Sequence, residues 1–363
     1  MPWVIVMSDH FFSEWAVCSF KDDTGLGRMA SDIRSVLGLG HHLVVPSERL
    51  QSQDLNGDNE RLILSNDSLE TIDQSLDGLV GIICLERPNW HPDLLRIARS
   101  KGIMTVCVPM WEWFTGNAPQ WKLIDLIICP SRFTEEVVKS YGFTNTCVLA
   151  WPLDLGKLPF RQIRGPARHF IHNAGLIDQD DRKSTRDTIK AFTRLKRKDI
   201  RLTVRLQKDS ALPPLDDRVE VIISNCIKPA DLYAVGDISV QPSKMEGIGF
   251  MVLEPACAGM PVITTDYPPM NEFIQQSALR CRTHWRKRKA FPTSWVPHAH
   301  LKVPSLADIT RKMDWATSND LEYVSIENRF WAERTFDPFL LRRSWEIVLS
   351  HGLIKLNKRT LFV

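Results

Sequence analysis

Short β-branched and aliphatic runs alternate with amphipathic stretches along the first half of the chain. Runs at 3–7, 42–45, 79–85, 103–108, 126–129 and 147–150 read as strands, and the patterns at 28–37, 92–101 and 134–141 read as helices. Gly142 stands where the C-terminal cap of the last of these belongs. Such alternation builds βαβ units around a parallel sheet. After Trp151-Pro152-Leu153-Asp154, the stretch 155–168 carries Gly156, Pro159, Gly165 and Pro166 with little periodicity, and reads as a linker. A second set follows, with strands at 168–172, 202–206, 219–223, 238–241 and 262–264 and helices at 185–196, 229–235 and 249–258. Residues 304–350 read as helices whose Trp315, Phe330, Trp331, Phe336, Phe339 and Trp345 serve packing. The expected layout is an N-terminal Rossmann-like domain (1–154), the linker, a second Rossmann-like domain (169–325) and a C-terminal helical segment (326–363). Doubly wound sheets bind ligands off the carboxyl ends of their strands, so function is expected in a crevice between the two domains.

Composition narrows the class. A chain of 363 residues can hold two hydrophobic cores, and 44% apolar with 25% charged residues fits an ordinary globular protein. Forty-six basic against 43 acidic residues leave +3, too little to drive nucleic-acid or membrane binding through overall charge. No basic segment precedes the apolar start, so no signal peptide is expected, and no apolar run approaches the roughly 18–20 residues of a membrane span. The eight cysteines form no C-x-x-C pair and several lie in strand-like runs. They read as small hydrophobes in a reducing cytoplasm, and a zinc site is disfavoured.

The chemistry concentrates in Pro242-Ser243-Lys244-Met245-Glu246-Gly247-Ile248-Gly249, which follows a strand and opens a helix ending past Glu254. Gly247 and Gly249 allow close backbone approach, and the N–H groups and dipole of a helix start attract an anion, so a phosphate fits. Glu246 and Glu254 bracket that turn about two helical turns apart. Carboxylates accept hydrogen bonds from vicinal hydroxyls, one from a sugar and the other from a ribose. A capped helix bearing two solvated acids is the alternative from these residues alone.

Asp231-Leu232-Tyr233, Gly236-Asp237-Ile238, Gln241-Pro242-Ser243, Glu246-Gly247, Leu253-Glu254, Gly259-Met260-Pro261-Val262-Ile263 and Thr265-Asp266 through Glu272 together resemble the carboxyl-terminal domain of retaining GT-B glycosyltransferases with the E-x(7)-E motif, those of the family 4 type. The segment 125–131 and Trp151-Pro152-Leu153-Asp154 extend the resemblance, which spans about 123–272. It implies an α/β GT-B architecture, two doubly wound domains facing across a cleft with C-terminal helices packing back on the first. It implies transfer of a sugar from a nucleotide-diphosphate donor (UDP- or GDP-linked) to an acceptor hydroxyl, with retention and with no cofactor or metal required. Glu246 would contact the donor sugar, Glu254 the ribose, and the amides of Gly247, Ile248 and Gly249 the sugar and diphosphate. The family also sets an Arg and a Lys on the diphosphate. This chain has Leu176 where that Arg usually stands, which leaves Arg182 and Lys183, with Lys208 as a further candidate.

The bond that breaks leaves positive charge on the sugar and negative charge on the diphosphate, so fixed cations and amide dipoles supply the catalysis. From the first domain, Glu112 in Pro109-Met110-Trp111-Glu112-Trp113 follows a strand end between two tryptophans and is expected to face acceptor or sugar, with Trp111 and Trp113 beside it; a structural aromatic cluster is the alternative. Asp9-His10 and Glu86-Arg87 end strands similarly and rank lower.

Two motifs mislead. Gly25-Leu26-Gly27-Arg28-Met29-Ala30 fits G-x-G-x-x-A, but a strand ending near Met7 is too distant for the tight turn of a dinucleotide fold, so NAD is rejected. A glycine loop near donor phosphate, with Arg28 as partner, stays open. Asp178-Gln179-Asp180 fits D-x-D and reads as a solvated loop. The net charge hides one patch at 280–289, where Arg282, Arg286 and Lys287 surround Trp285. It suits a nucleic-acid acceptor such as a hydroxymethylated DNA base, an acidic glycan or an anionic lipid headgroup, or only solvent. A non-catalytic protein that binds nucleotide sugar and nucleic acid is the alternative to the enzyme.

Overall fold

The computed structural model describes residues 10–47, 55, 57, 59–224, 228–284, 291–293, 296 and 299–360. The chain forms two compact units, Met1–Asp154 with Phe336–Val363, and Leu155–Thr335.

The first unit is built on seven parallel strands, β1 (Trp15–Ser19), β2 (His41–Val44), β3 (Glu60–Leu62), β4 (Gly81–Glu86), β5 (Met104–Pro109), β6 (Leu126–Cys129) and β7 (Thr146–Val148). They lie in the order β3-β2-β1-β4-β5-β6-β7, so the direction of winding reverses between β1 and β4. The central strands β1 and β5 are buried at every position, the signature of a parallel sheet covered on both faces. Helix α1 (Gly25–Leu37) starts where Thr24 Oγ1 accepts the Gly27 N–H and stops at Gly38 with φ +77°. Helices α2 (Leu69–Ser75) and α4 (Arg132–Ser140) begin at Ser68 and Ser131, each capping an amide three residues on, and α3 (Leu94–Ser100) lies between them. Ala16, Leu43, Ile82, Leu95 and Ile127 belong to the core, each buried Leu or Ile contributing about 1.5–3 kcal/mol.

The second unit carries β8 (His169–Gly175), β9 (Arg201–Leu206), β10 (Val219–Ile223), β11 (Ile238–Gln241), β12 (Val262–Thr265) and β13 (Arg280–Cys281) in the order β10-β9-β8-β11-β12-β13. All pairings in this six-stranded sheet are parallel, and the reversal falls between β8 and β11. Its helices are α5 (Thr185–Thr193), α6 (Pro229–Tyr233), α7 (Phe250–Cys257), α8 (Met270–Phe273), α9 (Leu306–Ser318) and α10 (Glu322–Thr335). The last helix, α11 (Pro338–Thr360), returns to the first unit and packs on α1 and β5, with the Trp345 indole N–H donating to the Ala150 carbonyl at 3.2 Å. Among the described residues no helix is long and apolar enough to cross a membrane.

Several expectations shift. The run at 3–7 lies outside the described residues, and the strand that precedes the first glycine motif is β1, which the pattern had not marked. Residues 155–168 are ordered into the second unit, where Ile163 joins the core and Arg161 donates to the Tyr233 and Gly236 carbonyls. The second unit runs through α10, so the returning segment begins at Phe336 rather than 326. Trp345 and Phe336 are buried as packing demands, but Phe330 and Phe339 are 58% and 62% exposed.

Candidate functional site

Every residue of 241–249 is buried, and the segment runs from the end of β11 to the first turn of α7. Gly249 holds φ +77°, and a Cβ there would only touch Glu246 at 3.4 Å, so backbone conformation rather than space demands glycine. Among the described residues no side chain caps α7, while the N–H groups of Val252 and Leu253 turn back to the Gly249 carbonyl. The N–H groups and dipole of such a helix start carry a positive partial charge.

The loop after β8 meets this turn. Asp181 caps α5, its Oδ1 accepting the Thr185 N–H at 2.9 Å and its Oδ2 the Arg186 N–H at 3.1 Å. Asp181 and Ser184 both sit in the left-handed region, φ 48° and 55°, which folds the loop sharply between them. Arg182 and Lys183 are thereby turned toward Glu246. Lys183 Nζ lies 2.5 Å from Glu246 Oε1, and Arg182 Nη1 lies 3.1 Å from Oε2 while also donating to the Met245 carbonyl at 3.0 Å. Burial alone would raise the Glu246 carboxyl, which is only 4% exposed, but the two cations outweigh it and hold its pKa at about 2. Burial in turn pushes the Lys183 ammonium down, opposed by Glu246. The Asp-x-Asp pattern is used structurally: Asp178 Oδ1 accepts the Arg182 N–H at 3.0 Å, and the Asp180 carbonyl accepts from Lys244 Nζ at 2.7 Å.

At the other end of the motif, Glu254 is buried in α7 and its Oε2 accepts the Tyr233 hydroxyl at 2.8 Å. Gly247 and Ile248 lie in the buried turn between Glu246 and Gly249. Arg182, Lys183 and Glu246 thus come together although more than sixty positions separate them in sequence. Lys208 stands exposed in the loop after β9. In the first unit Trp111 and Glu112 are buried after β5, the Trp111 ring 5.0 Å from that of Phe133, and Trp113 is 40% exposed. Arg282 is held by Asp308, which accepts its amide at 2.7 Å and lies 3.8 Å from its guanidinium. Trp285, Arg286 and Lys287 lie outside the described residues.

The glycine motif at 25–30 opens α1 five residues past β1, so the distance argument against a dinucleotide does not apply to the strand that feeds it. What occupies the helix start is Asp22, whose Oδ1 accepts the Thr24 N–H at 3.0 Å. A Cβ on Gly27 would run into Asp22 backbone and carboxyl atoms, so this glycine makes room for Asp22. An acid already at the positive end of α1 opposes a phosphate there. Two residues escaped sequence reasoning, Asp181 and the Tyr233 hydroxyl. An acid four positions before a helical pattern was a usable signal for the first. Nothing in the sequence links Tyr233 to Glu254.

Residues 168–285 match the family model described as "Glycosyl transferases group 1". Solved structures extend the likeness to nearly the whole chain. A glycosyltransferase from Rickettsia africae aligns over 93% of this chain and 98% of its own at 11% identity and a TM-score of 0.67. The lipopolysaccharide outer core galactosyltransferase WaaB aligns over 93% and 99% at 12% identity and a TM-score of 0.61. Sucrose-phosphate synthase from Thermosynechococcus elongatus aligns over 96% and 98% at 11% identity and a TM-score of 0.58. The chain has the GT-B fold, and residues 168–285 of its second unit are similar to group 1 glycosyltransferases. No curated protein matches it significantly by sequence. Within the GT-B frame, the Arg182–Lys183–Glu246 cluster lies beside the switch point of the second sheet, between β8 and β11, where doubly wound folds bind ligands.

Proposed function

We propose that the protein is a retaining glycosyltransferase that moves a sugar from a nucleotide-diphosphate donor, UDP- or GDP-linked, to an acceptor hydroxyl. The observation that carries this reading is the convergence of Arg182 and Lys183 on Glu246 at the uncapped start of α7. The diphosphate would lie against the Gly247, Ile248 and Gly249 amides, with Lys183 and Arg182 taking up the charge that grows as the glycosyl–phosphate bond breaks. Glu246 holds sugar hydroxyls, and its depressed pKa keeps it an acceptor-only group throughout the neutral range. Glu254, oriented by Tyr233, holds the ribose. The acceptor attacks from the face the diphosphate leaves, and the departing phosphate takes its proton. Glu112, Trp111 and Trp113 of the first unit are the acceptor-side groups, and Lys208 is a further donor-side cation.

The test is incubation with a panel of UDP- and GDP-sugars and acceptors (simple glycosides, lipid-linked glycans, hydroxymethylated DNA), with products weighed and their anomeric configuration read by NMR. Transfer with retention that disappears in Glu246→Ala and Lys183→Ala while both variants stay folded supports the reading. Undiminished turnover in both variants refutes it, and inverted product refutes the stereochemistry. DNA that binds in a salt-sensitive way beside an inert donor would point instead to a non-catalytic binder.

A further inference from the structure

Glu86 closes β4 in an unusual backbone state. Its φ is +68°, and the Arg87 N–H donates to the Leu85 carbonyl at 2.8 Å across it. An i to i+2 hydrogen bond around a residue of positive φ is the rare γ-turn, a strained geometry for a side chain with a Cβ. The same Leu85 carbonyl also accepts the Trp90 indole N–H at 3.0 Å, and the Arg87 guanidinium lies over the Trp90 ring at 4.2 Å. The turn is thus held from two sides, and Arg87 lies on an indole while its charge opposes the desolvation of the neighbouring carboxylate. Strain that its surroundings over-determine persists where it places a functional group.

The position fits such a use. β4 lies beside β1 at the reversal of strand order, the location where doubly wound sheets receive ligands. The Glu86 carboxylate makes no hydrogen bond or ion pair among the described residues. Its partner in register on β5 is Pro109, four residues before the exposed Trp113. Desolvation raises its pKa above the usual carboxylate value.

Building on the transferase reading above, we propose that Glu86 is the hydroxyl-binding group of a saccharide acceptor subsite in the first unit, held in place by the strained turn. A carboxylate accepts from two neighbouring hydroxyls, and an indole can pack on the apolar side of a pyranose ring. Trp90 is a positioning residue that clamps the turn.

The probes are methyl and p-nitrophenyl hexopyranosides, with binding read by saturation-transfer NMR and nucleotide release from UDP- and GDP-sugars measured separately. The variant is Glu86→Gly, which removes the carboxylate and adopts positive φ without strain. The expected result is glycoside binding to the native chain that falls at least tenfold in the variant, with a melting temperature equal to or above native and unchanged donor affinity. Trp90→Phe should weaken glycoside binding in the same sense while Glu86 remains. Equal glycoside affinity in native chain and Glu86→Gly, a lowered melting temperature in Glu86→Gly, or absence of glycoside binding by the native chain would each overturn the proposal. Absence of nucleotide release from the native chain would instead sink the transferase reading, and the glycoside result would stand apart from it.

Discussion

Replacing Lys183 by Met removes one charge from a buried pair and keeps most of the side-chain volume. The structure sets the scale of the loss. Glu246 is held near a pKa of 2 against an ordinary 4.5, a shift of about 2.5 units, or about 3 kcal/mol of stability at neutral pH. Lys183 is the strongest of the groups producing it, with Arg182 second. Loss of one partner from a buried pair costs about 3–5 kcal/mol, and the remaining Arg182 contact places Lys183→Met near 3. Glu246→Gln strands the lysine and should cost a similar amount. The double variant carries no orphaned member of the pair, so it should be less destabilised than the sum of the singles by about 2 kcal/mol or more. Urea titrations of the four proteins at pH 7 measure this, a 3 kcal/mol loss corresponding to roughly 1 M in midpoint at common slopes. At pH 4–5 the Lys183→Met deficit should shrink, because Glu246 without its ammonium can take a proton. The double variant should also be inert in transfer although its fold is restored. Strictly additive single costs, or a Lys183→Met protein as stable as native, would refute the ion-pair reasoning.

Three further outcomes are expected. Gly249→Ala forces a Cβ into φ +77° and should cost about 1–2 kcal/mol in urea titration while lowering affinity for UDP and GDP in calorimetry, since the turn must relax. Tyr233→Phe withdraws the hydroxyl from buried Glu254, at about 1–3 kcal/mol, and should raise the donor KM several-fold with kcat nearly kept; a change confined to kcat would contradict the positioning role. His42 and His172 are both pushed by burial to about 4, so each is neutral in the folded protein at pH values where the unfolded chain binds a proton. Their stability is complete above the unfolded pKa near 6.5 and is lost as pH falls toward 4, about 3 kcal/mol for each, and His172→Asn should shed one proton from that slope.

The strand–helix alternation revealed both sheets because inner strands are rich in aliphatic residues and buried on both faces, as at 103–108 and 262–264. Periodicity was weakest at the edges. Glu60–Leu62 is a short charged edge strand, and Arg280–Cys281 has only two residues, too few for any pattern. Trp15–Ser19 was hidden by its length and by Ala and Ser among its five residues. In the second unit, the eight-residue spacing of Glu246 and Glu254 was legible, and the first precedes α7 while the second lies within it. Arg182 was a candidate from sequence, but its approach to Glu246 was not legible, because it depends on left-handed conformations at Asp181 and Ser184 that no propensity signals. Glu86 was visible only as an acid at a strand end; its γ-turn is a matter of backbone geometry.

The central claim is that the turn entering α7 grips a diphosphate. Crystals soaked in UDP- and GDP-sugars test it most directly. The account predicts density for the diphosphate against the amides of 247–249 within reach of Arg182 and Lys183. Nucleotide density away from that turn, with the Glu246 cluster untouched, would contradict it.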